Sequence, residues 1–263
     1  VPGFPFGGIY ELAGATTITD ASSLKDSYTI ESYLFRANYD YMDKYYLSAS
    51  FRTDGSSRFI NVYRWGLFWS VGAIWRMNNE AFLSDVDWLN NLSVKASYGV
   101  QGNDNVGTLY AWQSFYDLGW PNASMSGALV SSLENTNLKW EQNGNLNVGV
   151  EAKVFDRFSA SIEWYNRKTT DMLLDYPMAS SLGFDSYLKN IGSMRDTGWD
   201  ITLNGRLVNT NDFTWDLTLM GSTIKNKVLH LADKPEIISG NYIIKQGRSE
   251  EHTSELQSPQ NRV

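Results

Sequence analysis

A chain of 263 residues with a formal charge of −7 and no cysteine has room for one large β domain or two ordinary ones. The missing cysteines exclude a disulfide framework and thiolate metal centres, and an acidic chain without a basic run lacks the counter-charge with which proteins hold nucleic acid. No apolar run approaches the roughly 20 residues of a spanning helix, and the first ten residues lack the basic start and apolar core of a signal peptide, so if the protein is exported its address is not in this stretch.

Residues 1–29 hold Pro2, Pro5 and several glycines, then a polar Thr/Ser/Asp stretch, and read as a loop or the end of a preceding region. Alternation begins at Ser32. Tyr33, Phe35, Ala37, Tyr39 and Tyr41 share one face against Arg36, Asn38 and Asp40, with Leu34 breaking the polar side. Met42, Asp43 and Lys44 form a tight turn, and the return strand sets Tyr45, Leu47, Ala49 and Phe51 against Tyr46, Ser48, Ser50 and Arg52. Asp54-Gly55-Ser56-Ser57 reads as a surface turn, with an ion cradle as the alternative. A third strand over 64–77 puts Leu67, Trp69, Val71, Ala73 and Trp75 on one face. Over 79–91 the period changes: Ala81, Phe82, Val86 and Leu89 suit a short helix, with Ser84, Asp85 and Asp87 near its cap.

Strand alternation returns over 92–101, with Leu92, Val94, Ala96, Tyr98 and Val100 against Ser93, Lys95, Ser97, Gly99 and Gln101. Residues 102–142 show no sustained period and read as a long loop with room for a strand extension. The clearest pattern in the chain follows at 146–167. Leu146, Val148, Val150, Ala152 and Val154 oppose Asn147, Gly149, Glu151 and Lys153; after Phe155, Asp156 and Arg157, Phe158, Ala160, Ile162 and Trp164 oppose Ser159, Ser161, Glu163, Tyr165 and Arg167. Residues 169–197 are irregular. Trp199, Ile201, Leu203 and Leu207 then oppose Asp200, Thr202, Asn204 and Arg206, and beyond a turn at 209–212 Phe213, Trp215, Leu217 and Leu219 oppose Thr214, Asp216 and Thr218. The fold class is therefore all-β, with eight strands.

Successive connections fall into two sets. One contains the tight turns at 42–44, 155–157 and 209–212 with the helical stretch at 78–91; the other contains the longer 54–63, 102–142 and 169–197. Antiparallel strands of about 10 residues with short turns at one end and long loops at the other build outer-membrane barrels, apolar outside and polar within. A soluble sandwich has no reason to segregate its loops in this way. Tyr39, Tyr41 and Tyr45 at the short-turn end, and Phe158, Phe213 and Trp215 just after short turns, suit an interfacial aromatic girdle.

Several stretches resemble the barrel region of the SusC/RagA family of TonB-linked outer-membrane proteins. These are Asp54-Gly55-Ser56-Ser57-Arg58-Phe59 with Arg64-Trp65-Gly66, then Ala96-Ser97-Tyr98-Gly99-Val100-Gln101-Gly102-Asn103, and Asn137-Leu138-Lys139-Trp140-Glu141. Tyr165-Asn166-Arg167-Lys168-Thr169-Thr170-Asp171-Met172-Leu173 and Asn190-Ile191-Gly192-Ser193-Met194-Arg195-Asp196-Thr197-Gly198 extend it, so that it runs from Ile30 to about Leu229. Trp69 departs from the family, which often has Pro there. The resemblance implies an antiparallel up-and-down transmembrane β-barrel, of which this chain supplies about eight of 22 strands and is not expected to transport by itself. It also implies a plug domain, a TonB-engaging segment upstream, a SusD-like surface lipoprotein as partner, contact with outer-membrane lipid, and an oligosaccharide or peptide substrate. The barrel segment is placed at 30–247, after the 1–29 region. Residues 248–258, RSEEHTSELQS, resemble the translation of a sequencing-library adapter, so 248–263 is expected to be a disordered tail foreign to the fold.

Chemistry is sparse. With His230 the single histidine outside that tail and no cysteine, no catalytic site, metal site or cofactor is expected, and Asp85 and Asp87 suit capping better than acid–base work. Trp112, Phe115, Tyr116 and Trp120, in a Gly/Ser/Asn-rich connection on the outer side, are the candidate substrate contacts, since flat rings stack on sugars and grip peptide side chains. Their alternative role is to pack the loop against itself or against the lipoprotein. The functional reading is an energised importer; the alternatives are a passive outer-membrane pore or structural barrel and, more distantly, a soluble carbohydrate-binding sandwich.

Overall fold

Period-two alternation becomes backbone pairing throughout the computed structural model, which describes residues 25–118, 120, 127–184, 186–232, 236–239 and 242–249. The strands are β1 (Ile30–Tyr41), β2 (Tyr45–Ser56), β3 (Trp65–Arg76), β4 (Leu89–Asn103), β5 (Phe115–Asp117), β6 (Leu129–Ser132) and β7 (Glu141–Val154). They continue with β8 (Phe158–Thr170), β9 (Leu173–Pro177), β10 (Ser186–Asn190), β11 (Ser193–Asn209), β12 (Thr214–His230), β13 (Glu236–Ser239) and β14 (Tyr242–Lys245). Eight of them make one antiparallel sheet in the order β1-β2-β3-β4-β7-β8-β11-β12, a meander that leaves β1 and β12 as its edges. The six short strands form three hairpins, β5–β6, β9–β10 and β13–β14.

The register separates two kinds of row. Tyr39, Leu47, Ala73, Ala96, Val148, Trp164 and Trp199 stand directly opposite one another across seven strands. One residue along, Asn38, Ser48, Gly72, Ser97, Asn147, Tyr165 and Gly198 do the same on the other face. Among the described residues no second layer covers the apolar face: Phe35 is 67%, Leu47 52% and Trp199 50% exposed. In water, apolar area of this extent stays uncovered at about 25 cal/mol per Å². A lipid surround removes that cost, and the sheet gives its six inner strands backbone partners on both sides.

Aromatic pairs bracket the apolar band. Tyr45 and Trp75 stack at 6.4 Å near the tight turns, and Tyr33 and Trp65 stack at 6.1 Å at the opposite end. The ten residue steps from Trp65 to Trp75 span roughly 33 Å of strand, or about 25 Å of height at a tilt near 40°, the thickness of the apolar belt of such barrels. Met42, Asp43, Phe155 and Asp156 all have φ between 53° and 56°. Together with the bonds from Lys44 N to Tyr41 O and Arg157 N to Val154 O, this makes both turns the left-handed two-residue type whose twist matches that of the strands.

The short helix expected over 79–91 is absent. A three-residue 3-10 turn at Met77–Asn79 leads into successive turns, with Glu80 N bonding Met77 O, Leu83 N bonding Glu80 O and Val86 N bonding Leu83 O. Phe82 and Trp88 are exposed, so an amphipathic helix would have had no apolar layer to pack on. The segment is instead clasped to the β1–β2 turn. The Glu80 carboxylate accepts from Tyr45 Oη (2.6 Å), Lys44 Nζ (3.0 Å) and Trp75 Nε1 (3.1 Å); Asp43 accepts from Tyr46 Oη and Arg76 Nη1 (3.0 Å).

At the long-loop end, Phe59, Phe68, Val106, Leu138 and Trp140 form a buried cluster, and Ile191, Val228, Leu231 and Ile237 form a second. Phe68, on the polar face, meets the edge of Trp140 at 5.2 Å and brings the 57–64 and 104–140 connections together. It fits because Gly66 and Gly102 have no side chains: a Cβ at Gly102 would lie 2.1 Å from the Phe68 ring.

Two outcomes follow. In the complete receptor, Gly102→Ala should destabilise by about 1–3 kcal/mol, as overpacking does, and the loss should shrink in a Phe68→Leu background, read by denaturant unfolding in micelles. The Tyr45 hydroxyl, then Lys44 and Trp75, hold Glu80 down at about 2, and Tyr46, then Arg76 and Asn79, hold Asp43 below its ordinary value. Depressed carboxylate pKa values contribute stability above the ordinary carboxylate range that is lost as pH falls through the folded values. Protection of segments 42–46 and 74–82 against hydrogen exchange, corrected for the intrinsic pH dependence of the exchange chemistry, should therefore stay constant from pH 7 to 5 and fall as the pH drops below the ordinary carboxylate range toward about 2; in Glu80→Gln the Glu80 part of that response should be missing.

Candidate functional site

The polar face carries charge in pairs set by the register. Lys95, Gly149 and Glu163 are directly opposite one another on β4, β7 and β8, and Lys95 Nζ reaches Glu163 Oε2 at 2.7 Å over the glycine. A Cβ at Gly149 would meet Lys95 Cε at 2.8 Å, so the bare backbone is what opens this crossing. Arg52 Nε donates to Asp54 at 2.7 Å, Arg167 Nε to Asn145 Oδ1 at 2.9 Å and Arg206 Nε to Asp216 at 2.9 Å. Lys95 and Glu163 remain about one-third exposed, so such a pair contributes little to stability and acts mainly through its field. Two clefts run along this wall. One of about 720 Å³ is lined by Ser48, Ser50, Arg52, Gln101, Asn145 and Asn147 among others; one of about 650 Å³ by Arg36, Asp40, Lys95 and Glu163.

The long connections stand at one end of this wall, fastened by the two buried clusters and by single bonds. Asn135 Nδ2 donates to Leu188 O at 2.7 Å, Ser27 N to Tyr110 Oη at 2.8 Å, and Asn190 Nδ2 to Lys139 O at 2.8 Å. Asp54-Gly55-Ser56-Ser57 is neither a surface turn nor an ion cradle. It continues β2 through Ser56, where Asp54 and Ser56 are buried. Ser56 Oγ donates to Asp104 at 2.6 Å, Tyr28 Oη to the same carboxylate at 2.9 Å, and Arg58 lies 4.7 Å above the Tyr28 ring. The donors already converging on Asp104 make this a strut between connections.

The four candidate contact residues share the 104–140 connection but not one surface. Phe115 and Tyr116 sit on β5, paired with Ser132 and Val130 of β6, and both are exposed; Phe115 meets the Tyr110 ring edge-on at 6.2 Å. Trp120 is 56% exposed and its Nε1 donates to Asp117 at 3.1 Å. Trp112 is half-buried, and its Nε1 is buried with no partner among the described residues. The alternation placed Lys95, Glu163 and Arg167 on the polar face without showing that they pair. Gly149 inside an otherwise regular strand was the available signal. At the other end of the chain, Arg248 O accepts from Val228 N at 2.8 Å, and the rest of the 250–263 stretch lies outside the described residues.

Comparison with known proteins agrees with this geometry. The family described as TonB dependent receptor-like, beta-barrel matches residues 3–245. A TonB-dependent receptor of Formosa agariphila is 36% identical over 210 residues, 78% of this chain and 21% of the relative. The TonB-dependent receptor SusC of Bacteroides thetaiotaomicron is 32% identical over 194 residues, 71% of this chain and 19% of SusC. The RagAB peptide importer in its closed-closed state superposes with a TM-score of 0.80 at 29% identity, over 94% of this chain and 28% of that one. The chain thus spans about a fifth to a quarter of the length of the relatives it matches. An eight-stranded meander with an uncovered apolar face and a paired-charge inner wall, matched over residues 3–245, belongs to the TonB-dependent receptor β-barrel family, in its SusC/RagA branch, and lies in the outer membrane.

Proposed function

We propose that this chain forms part of the barrel of a TonB-dependent importer of oligosaccharides or peptides that works with a SusD-type surface lipoprotein. The observation that carries this reading is a polar inner wall, lined by amides and both signs of charge, headed by long connections that present aromatic rings at their tips. Amides and paired charges suit a hydrated polymer of many hydrogen-bonding groups, and exposed rings on the outer side meet it first. The barrel segment is assigned to residues 30–247, with 1–29 ending the region before it and 248–263 taken as a tail foreign to the receptor, although its first residue, Arg248, bonds Val228. Edges β1 and β12 pair with further strands of the complete barrel, because an open edge in lipid leaves backbone groups without partners.

Tyr116 and Trp120 are the rings most open to substrate, Phe115 supports them, and the half-buried Trp112, its ring nitrogen enclosed, anchors the connection from below. The relationship to RagAB supports peptides; the relationship to SusC supports the same architecture without naming a cargo.

The test uses a strain lacking the native receptor and complemented with the full-length gene, supplied with labelled peptide and oligosaccharide mixtures. Uptake should require TonB. Tyr116→Ala and Trp120→Ala should each weaken apparent affinity by roughly 3- to 10-fold, the equivalent of one aromatic contact, with barrel assembly unchanged on heat-modified gels. Uptake that persists without TonB would replace the importer by a passive pore. Unaltered uptake in Trp112→Ala and Trp120→Ala would remove the aromatic contacts from the reading.

A further inference from the structure

Toward the long-loop end of β8, β11 and β12 the outer face changes character. Trp164 and Trp199 stand opposite each other. Two residues further out come Asn166, Thr197 and Lys225, and two beyond these Lys168, Arg195 and Lys227, each row directly opposite across the three strands. These residues share the face of the tryptophans. Arg167, Asp196 and Asn226 alternate with them on the inner wall, where Asn226 Nδ2 donates to Asp196 Oδ1 at 2.6 Å. All four cations are exposed. None of them enters an ion pair among the described residues.

Three like charges directly opposite on neighbouring strands repel one another. The next position in the row, Gly144 on β7, has no side chain to offset them. In a chain of net charge −7 such a row goes against the overall balance, so an external anion is the natural counterpart. Its height narrows the choice. Arg195 lies four residues beyond Trp199, roughly 13 Å along the strand, which carries it past the interfacial tryptophans into the layer of lipid headgroups. Below it the same face offers Ile162, Ile201 and Leu203 to acyl chains.

We propose that Lys168, Arg195, Lys225 and Lys227 form a site for the phosphorylated headgroup of an outer-leaflet lipid of the lipid A class. Asn166 and Thr197 supply hydrogen bonds to its sugar, and Trp164 and Trp199 flank the start of its chains. The guanidinium of Arg195, central in the row, is suited to forked contact with a phosphate, and the lysines add point charges on either side. The site requires only that the strands lie in the outer membrane; it is independent of what the receptor imports.

The full-length receptor, extracted from outer membranes in mild detergent, should retain lipid A detectable by native mass spectrometry. A Lys168→Gln/Arg195→Gln/Lys227→Gln variant should retain far less, on the order of fivefold for each cation removed. The equivalent loss at Lys153→Gln, at the tight-turn end and paired with Asp156, should change nothing. After delipidation, the wild-type receptor should gain thermal stability from phosphorylated lipid A but not from enzymatically dephosphorylated lipid A or inorganic phosphate. Single Arg195→Gln and the wild-type stabilisation assay decide the matter if the triple variant does not assemble. Equal retention by a correctly assembled variant, equal stabilisation by dephosphorylated lipid A, or reproduction of the effect by phosphate alone would each overturn the proposal.

Discussion

The interaction on which the molecule depends is the ladder of inter-strand hydrogen bonds in a medium that offers none in return. A backbone N–H or C=O in hydrocarbon must find its partner within the protein, and the eight-stranded meander supplies one for each internal strand. Once the ladder is set, the side-chain period is two, and each row must be wholly of one face. The register bears this out over seven strands: one row runs from Tyr39 to Trp199, and the adjacent one from Asn38 to Gly198. The exposed apolar face follows from the solvent the sheet was built for.

The same ladder divides the molecule by end. Where strands meet through turns of three or four residues, little chain is left to build anything, and the chemistry is confined to short clasps: Asp43 and Glu80 secure the one longer connection, and Asp156 pairs with Lys153 and bonds Asn90. Where connections are long, water is available on both sides, and a water-soluble protein's devices reappear in miniature. Phe59, Phe68, Val106, Leu138 and Trp140 make a core of ordinary kind, seated on the polar face because Gly66 and Gly102 make room for one ring. Loops held by such a core can present Tyr116 and Trp120 at defined positions instead of sweeping through solvent.

Much of this was legible in the residues. All eight long strands, their order of turns and the two faces follow from alternation alone, because lipid and water impose opposite demands on neighbouring positions. Strand ends were less visible. β4 runs to Asn103, β11 starts at Ser193 and β12 ends at His230, each extending past where the hydrophobic alternation stops. Beyond the bilayer both faces meet polar surroundings, so pairing continues while the periodic signal fades. The helix expected at 79–91 failed for a related reason, since the face of Ala81, Phe82, Val86 and Leu89 has no apolar layer to cover it, and Phe82 stays exposed. The candidate contacts were found by composition, which identified Trp112, Phe115, Tyr116 and Trp120 but could not distinguish the half-buried Trp112 from the exposed Trp120. Asp54 and Ser56 looked like a turn by type; both are buried, Ser56 bonded to Asp104 48 residues on and Asp54 held by Arg52.

Pairing across a glycine shows why contacts on the inner wall escape a reading by strand. Lys95 and Glu163 lie on strands that do not touch, and only the missing side chain of Gly149 between them lets the ammonium reach the carboxylate at 2.7 Å. A residue larger than glycine at that position would divide the wall into separate charged columns. With glycine there, charges from β4 and β8 share one field along a cleft of about 650 Å³ that Arg36 and Asp40 enter from β1. The cleft therefore joins charges of β4 and β8 directly across β7, with the charges of β1 lining the same space. No single strand could provide such a crossing, which needs the register of three strands and the bare backbone of the middle one.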